Sequence, residues 1–361
     1  MKKRYISLIL AMAMVFALLC TACGGSGTTK NNETKQPVSS GASNQADDPG
    51  KTYTFKMANL VPTDDAICTS MQYFADMLTE KSGGRIECIV YPNAEFGGSN
   101  KEQLEMVMDG TLCFTSVPGF TLAAMADGLK EFNIGDYPYL YDTLDEAYKL
   151  WDSEIGYRML DELSETLPIY GLPAFSLGWS NISSNSKPIV TPDDLAGLKI
   201  RTSVATLYVE TLKSWNITPT PIDWGEIYTA LQQKTCDGMT TTTNLYITNK
   251  FYEVQKYLAT TNHAPFPHYP VYNKAWYDAL PDDLKTIFDE CALEYVKEAR
   301  RQQEEAEEAA LNILSENGME ISHLTDEQKA VWAEASRKVW DEQSEVVGTE
   351  FFNEVCTFLG K

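Results

Sequence analysis

The stretch DDLAGLKIRTSVATLYVETL, residues 193–212, decides the fold. GLKIRT (197–202) reads as a short buried strand, and VATLYVETLKSW (204–215) continues at once with helical periodicity. A strand that runs straight into a helix is half of a βαβ unit, so a parallel neighbour should follow. It does. TPTPI (218–222) is short and extended because of its prolines, DWGEIYTALQQ (223–233) reads as a helix with Asp223 at its cap and Glu226 three residues on, and CDGMTTTT (236–243) reads as the next strand. Upstream, PIYGLPAFSLGW (168–179) carries a further strand.

The first half of the chain repeats the alternation. YTFKMAN (53–59) reads as a strand, 65–82 as a helix stopped by Gly83-Gly84, RIECIVYP (85–92) as a strand, SNKE (99–102) as a capping box opening a helix to Asp109, and TLCFTSV (111–117) as a third strand. Aromatic-rich helical patterns follow to about 166. From about 281 the chain is nearly all helix, and EYVKEARRQQEEAEEAALNILSENG (294–318) reads as a long solvated helix laced with i,i+4 charges. The fold class expected is α/β, with two α/β lobes and C-terminal helices. One lobe is assigned to 53–177 plus about 265–303, the other to 178–264 plus about 304–361.

The N-terminus carries an address. MKKR is a cationic start, YISLILAMAMVFALL is apolar, and CTAC supplies small residues for cleavage, so 1–22 reads as a secretory signal. The pattern resembles a bacterial lipobox with Cys23 as the lipidated N-terminus, although Cys20 departs from the usual branched aliphatic residue. Residues 23–50 are Gly, Ser, Thr, Asn and Gln-rich and read as a flexible tether. The chain is therefore expected outside the cytoplasm, held to the outer face of the membrane by lipid on Cys23. No later stretch offers a second membrane span.

The formal charge is −22; the leader takes Lys2, Lys3 and Arg4 and no acid with it, which leaves −25. So acidic a chain has no footprint for nucleic acid. An anionic ligand would need a local cation to hold it. Six cysteines remain after Cys20 and Cys23, at 68, 88, 113, 236, 291 and 356, too scattered for a disulfide framework. A Cys88–Cys113 bridge would need their strands to be adjacent. No P-loop, G-x-S-x-G, H-E-x-x-H or G-x-G-x-x-G occurs, so neither an enzyme nor a cofactor is expected. His263 and His268 lie in a Pro-rich, loop-like stretch, NHAPFPHYP, with no carboxylate spaced to complete a metal site.

In open parallel sheets ligands bind beyond the carboxyl ends of strands. Arg201 ends one strand there, Trp224 opens the helix after the next, and Thr240, Thr241 and Thr242 end the strand after that. Asn59 ends the first strand of the other half, and Phe120 follows its third. A guanidinium at such a rim is a fork for a carboxylate or phosphate. From the residues alone an internal ion pair with Asp or Glu is the simpler account of Arg201.

A resemblance shifts that weighting. KPIVTPDDLAGLKIRT (187–202), PTPIDWGEIYTALQQKTCDGM (219–239), KFYEVQKYLATTNH (250–263), YPNAEFGGSNKEQLEMVMDGTL (91–112) and NKAWYDALPDDLK (273–285) are similar, in order and spacing, to the substrate-binding proteins of tripartite ATP-independent periplasmic (TRAP) transporters. The resemblance covers 53–345 and is to the C4-dicarboxylate- and sialic-acid-binding components. It implies a periplasmic-binding-protein-like fold of two lobes with a hinge, an arginine at Arg201 that pairs with the solute carboxylate, and an aromatic contact at Trp224, with Glu226, Tyr228 and Gln232 matching the same segment. It also implies partner permease subunits in the membrane. The chain departs from the family at two points: Ser180 stands where many members carry a second arginine, and Met239-Thr240-Thr241 stand where they carry Gln-Glu-Asn. With Trp179 beside Ser180, the expected ligand is a monocarboxylate with an apolar or aromatic body, bound by Arg201, Trp224, Trp179, Thr241, Ser180, Asn59, Phe120 and Tyr228. The expected receptor is a monomer. A lipoprotein presenting its closed form to a sensor kinase is the alternative, since it would use the same cleft.

Overall fold

The computed structural model describes residues 50–361. The signal peptide, Cys23 and all but the last residue of the tether lie outside the described residues. The strands are β1 (Tyr53–Ala58), β2 (Ile86–Tyr91), β3 (Phe114–Pro118), β4 (Ile169–Gly171), β5 (Phe175–Ser184), β6 (Lys199–Thr202), β7 (Thr218–Pro221), β8 (Gly238–Thr242), β9 (Tyr257–Ala259), β10 (Pro265–Asn273) and β11 (Glu320–Ser322). They join in the order β2-β1-β3-β10-β5-β8-β6-β7, with the short β4, β9 and β11 off that path. Parallel β2-β1-β3 forms one end and parallel β8-β6-β7 the other. Between them the antiparallel pair β10 and β5 carries the chain across. The result is two α/β lobes sharing two long strands, the fold class read from the sequence.

The helices are α1 (Ala66–Lys81), α2 (Asn100–Asp109), α3 (Gly119–Ala123), α4 (Leu144–Trp151), α5 (Glu154–Thr166), α6 (Thr206–Ser214), α7 (Ile227–Gln232), α8 (Thr243–Thr248), α9 (Lys274–Asp278), α10 (Asp282–Glu316), α11 (Asp326–Gln343) and α12 (Thr349–Leu359). α1 buries Ile67, Met71, Phe74 and Leu78 at helical spacing. That stripe meets α10, where Phe288, Cys291, Tyr295 and Ala299 do the same, and Phe74 stacks on Tyr295 with centroids 4.9 Å apart. In the second lobe Trp215 and Trp332 meet edge to face at 4.9 Å. α10 is one unbroken helix of 35 residues, whose charged second half is the solvated run seen in the sequence. Among the described residues no helix is long and apolar enough to cross a membrane.

The Ser99 cap follows the sequence with one shift. Ser99 accepts the Glu102 amide, but the Glu102 carboxylate reaches back one residue further, to the amide of Gly98. The six described cysteines are free thiols. Cys88 lies on β2 and Cys113 just ahead of β3, and β1 runs between those strands, so the two are not neighbours. NHAPFPHYP is not a loop: Pro265–Asn273 is a central strand. Proline removes ladder donors; here a register shift between Pro265 and Pro267 absorbs the irregularity, and the Ser176 hydroxyl accepts the Phe266 amide.

One glycine is fixed by close approach. A Cβ on Gly238 would lie 2.0 Å from the Ser183 carbonyl oxygen on the neighbouring strand β5. Gly238→Ala is expected to force β8 away from β5 and cost about 3 kcal/mol of stability, read from the midpoint of urea unfolding.

Candidate functional site

A cavity of about 580 Å³ opens where the carboxyl ends of β1, β3, β6 and β8 converge around the crossing strands. Arg201 is on its wall, at the third position of β6. The side chain is 5 % exposed, and Nε and Nη2 both donate to the Ile222 carbonyl, at 3.1 and 2.9 Å. Its guanidinium carbon stands 5.8 Å from the centre of the Trp224 ring. Among the described residues no carboxylate is ion-paired with it, so the internal ion pair favoured by the residues alone is not formed. Burial pushes the guanidinium down to about 10, and the charge of nearby Asp223 offsets only part of that. Tying one edge of the fork to Ile222 fixes the plane and leaves Nη1 with no hydrogen-bond partner.

Five more of the expected residues line the same cavity: Asn59, Phe120, Ser180, Trp224 and Thr241. Asn59 is held by its own turn, its Oδ1 accepting the Val61 amide at 3.0 Å. Trp224 begins the 3-10 turn Trp224–Glu226, edge-on to Phe251. Asp223 precedes it at the cap position without a side-chain capping bond, and lines the cavity instead. Thr241 pairs in register with Asn181 on β5. The Ser180 hydroxyl is buried and has no hydrogen-bond partner.

The structure corrects the other two. Trp179 does not line the cavity. Gly178, at φ +101°, interrupts the alternation of β5, so that Leu177 and Ser180 both face the cavity while Trp179 turns out against the core that includes Tyr137 and Phe132. Tyr228 lies outside as well: its hydroxyl donates to Glu253 at 2.6 Å, over a separate surface recess. In one continuous α-helix Trp224 and Tyr228 would share a face, but the 3-10 turn changes the phase before α7 begins.

Several lining residues were not anticipated. Phe266 and His268 sit two apart on β10 and share a face, a period-two signal masked by the prolines. Burial drives His268 down to about 3, so it is neutral, with Nδ1 3.4 Å from the Ser116 hydroxyl. His263, also pushed to about 3, lies elsewhere, between Thr240 and Thr261 and edge-on to Trp215. Tyr208, in the first turn of α6, stands against Phe120 and Phe266 at 6.2 and 6.0 Å. Leu177, Leu245, Val61 and Ile67 complete an apolar wall, and Lys101 stands at the α2 end. One buried cation, Arg201, thus stands beside apolar and aromatic side chains, with the acids Glu102, Asp223 and Glu226 also on the lining; the guanidinium fork is where an organic anion would be held.

Known proteins are similar to this chain over most of its length. Residues 57–346 match the family described as bacterial extracellular solute-binding protein, family 7. The C4-dicarboxylate-binding periplasmic protein DctP of Rhodobacter capsulatus is 28 % identical over 297 residues, covering 82 % of this chain and 87 % of that one. A TRAP periplasmic solute-binding protein from Ochrobactrum anthropi superposes with a TM-score of 0.77 at 29 % identity, covering 86 % of this chain and 95 % of that chain. One from Bordetella, with density assigned to pantoate, superposes with a TM-score of 0.77 at 28 % identity, covering 84 % and 98 %. The chain belongs to the family 7 bacterial extracellular solute-binding proteins and is a TRAP transporter solute-binding protein.

Proposed function

We propose that this receptor takes a monocarboxylate with an apolar or aromatic body and passes it to a TRAP permease. The observation that carries the reading is the buried Arg201 fork, unpaired by any acid and facing a cavity walled by Phe120, Phe266, Trp224 and aliphatic side chains. Ser180 stands where the resemblance places a second arginine in many family members, so this site has one cation fewer. The pantoate assigned in the Bordetella relative is likewise a branched monocarboxylate. In this reading the solute carboxylate meets Nη1 and the free N–H of Nη2, Trp224 lies along the body, and the lobes, 53–177 with 265–303 and 178–264 with 304–361, close about β5 and β10. Closure excludes water and strengthens the charge pair. Lipid on Cys23 would hold the receptor within reach of the permease.

Thermal unfolding against a panel of acids tests it. A ligand at about 100 times its Kd adds about 2.7 kcal/mol and shifts the transition upward. Phenylacetate, 4-methylpentanoate and their relatives are expected to shift it; succinate and galactonate are not. A larger shift with succinate than with every monocarboxylate would sink the monocarboxylate reading. Mass spectrometry of the denatured protein identifies any solute retained through purification.

A further inference from the structure

Behind the aromatic wall lies a buried acid that the carboxylate site does not use. Asp136 closes the 3-10 stretch Asp127–Asp136 and is 2 % exposed. Its Oδ1 is hydrogen-bonded to the Tyr208 hydroxyl at 3.1 Å, and its Oδ2 has no partner. No cation faces it. The titratable groups around it are the hydroxyls of Tyr137, Tyr141, Tyr208 and Tyr269, and the Arg201 charge is felt at Tyr208. The Ser180 hydroxyl lies beside that of Tyr208, buried and unpartnered, on a residue that lines the cavity. Three oxygens therefore run from the sealed interior to a residue of the cavity wall.

An unpaired buried carboxylate is costly, and a neutral acid is the cheaper state. With the proton on Oδ1, Asp136 donates to Tyr208. The Tyr208 proton is then free to turn to Ser180, and the Ser180 proton to turn to the cavity. The one group left unsatisfied is a carbonyl-type oxygen, which proteins tolerate better than an orphaned donor. We propose that Ser180 and Tyr208 form a second polar subsite, one that selects acids carrying a hydrogen-bond-accepting oxygen on an otherwise apolar body, with Asp136 as the positioning residue that sends the Tyr208 proton toward the cavity. This rests on the reading of Arg201 as the carboxylate site. Burial pushes Asp136 up to about 8. Above that pH the ionised carboxylate takes the Tyr208 proton inward, and the subsite stops donating.

The test uses matched acids: 4-methyl-2-oxopentanoate against 4-methylpentanoate, and 3-(4-hydroxyphenyl)propanoate against 3-phenylpropanoate, titrated into the purified full-length protein by calorimetry at pH 6.5 and 8.8. In at least one pair the oxygenated acid is expected to bind about fivefold tighter at pH 6.5, the worth of one net hydrogen bond, and to lose that preference at pH 8.8. Tyr208→Phe and Ser180→Ala should each bring the ratio of oxygenated to oxygen-free acid to about one, whatever either change does to the affinity of both acids together. Asp136→Asn, whose amide donates at every pH, should keep the preference and remove its pH dependence, which a purely structural role would not do. Preference unchanged in both Tyr208→Phe and Ser180→Ala, or pH dependence surviving in Asp136→Asn, overturns the subsite. Acids that bind through Arg201 with no oxygen preference overturn the subsite alone. Acids that bind equally well to Arg201→Ala, or no binding by any of the four, overturn the carboxylate reading with it.

Discussion

Arg201→Ala is expected to lower affinity for the transported acid by roughly 30-fold to several thousand-fold, the range that follows from losing about 2–5 kcal/mol when one partner of a buried charge pair is truncated. The solute carboxylate would be left in an enclosure with no other fixed cation, Lys101 at the mouth being exposed and paired with Glu105 at 3.8 Å. Stability without ligand should hardly fall. Among the described residues no acid is ion-paired with the guanidinium, and only Asp223 feels its charge at a distance; the losses are two hydrogen bonds to the Ile222 carbonyl and the contact with Trp224. Arg201→Lys keeps the charge but not the fork and should recover only part of the affinity. The measurement is a pair: calorimetric titration of the acid, and thermal unfolding of the ligand-free protein. An apo protein that unfolds on Arg201→Ala would mean the guanidinium is there to hold the fold.

How much of this was readable from the chain depends on how each residue is positioned. Strand-to-helix alternation is written in short-range periodicity, so β6 with α6 and β1 with α1 fall where the sequence places them. Arg201 and Trp224 are legible because the ends of parallel strands are topologically fixed. What failed were the positions set by a local break in periodicity. Gly178 at φ +101° inverts the face of Trp179, and nothing in GWSNISS says so. The 3-10 turn at Trp224–Glu226 rotates Tyr228 out of the site. β10 reads as a loop because its prolines argue against a central strand, although Phe266 and His268 keep the strand period. Asp136 is the hardest case. An acid among Asp127, Lys130, Glu131 and Asn133 looks solvated, and only the long-range packing of Tyr208, Tyr269 and Tyr141 seals it.

That seal sets the second large effect: the ligand-free protein is expected to lose stability as pH rises from about 6.5 to 8. Three buried acids are held above their ordinary range, chiefly by desolvation: Asp65 at about 6, Glu307 at about 7 and Asp136 at about 8. Each keeps its proton in the folded chain at pH values where the unfolded chain has released it. Their contribution is fully present below the unfolded values near 4 and is lost as pH rises through the folded ones. His263 and His268 work the other way, because they stay neutral to about 3 when folded; the stability they forfeit on acidification is recovered once pH exceeds about 6.5. Below 6.5 the two sets oppose each other. Above it the acids act alone, and Asp136 spans the whole interval. At about 1.4 kcal/mol per pH unit for one proton, Asp136 contributes about 2 kcal/mol of loss over that window, a fall of several degrees in Tm. Asp136→Asn removes the ionisable group and keeps a partner for Tyr208, so its Tm should stay nearly flat from pH 6.5 to 8 and exceed that of the wild type at pH 8. Glu307, which accepts from the Thr243 hydroxyl and the Asn244 amide, is the control: with hydrogen bonds to its charged form, Glu307→Gln should leave most of the slope above pH 7 in place. A wild-type Tm that is flat or rising across this window would show that Asp136 is hydrated in solution and that the corner behind Tyr208 is not sealed.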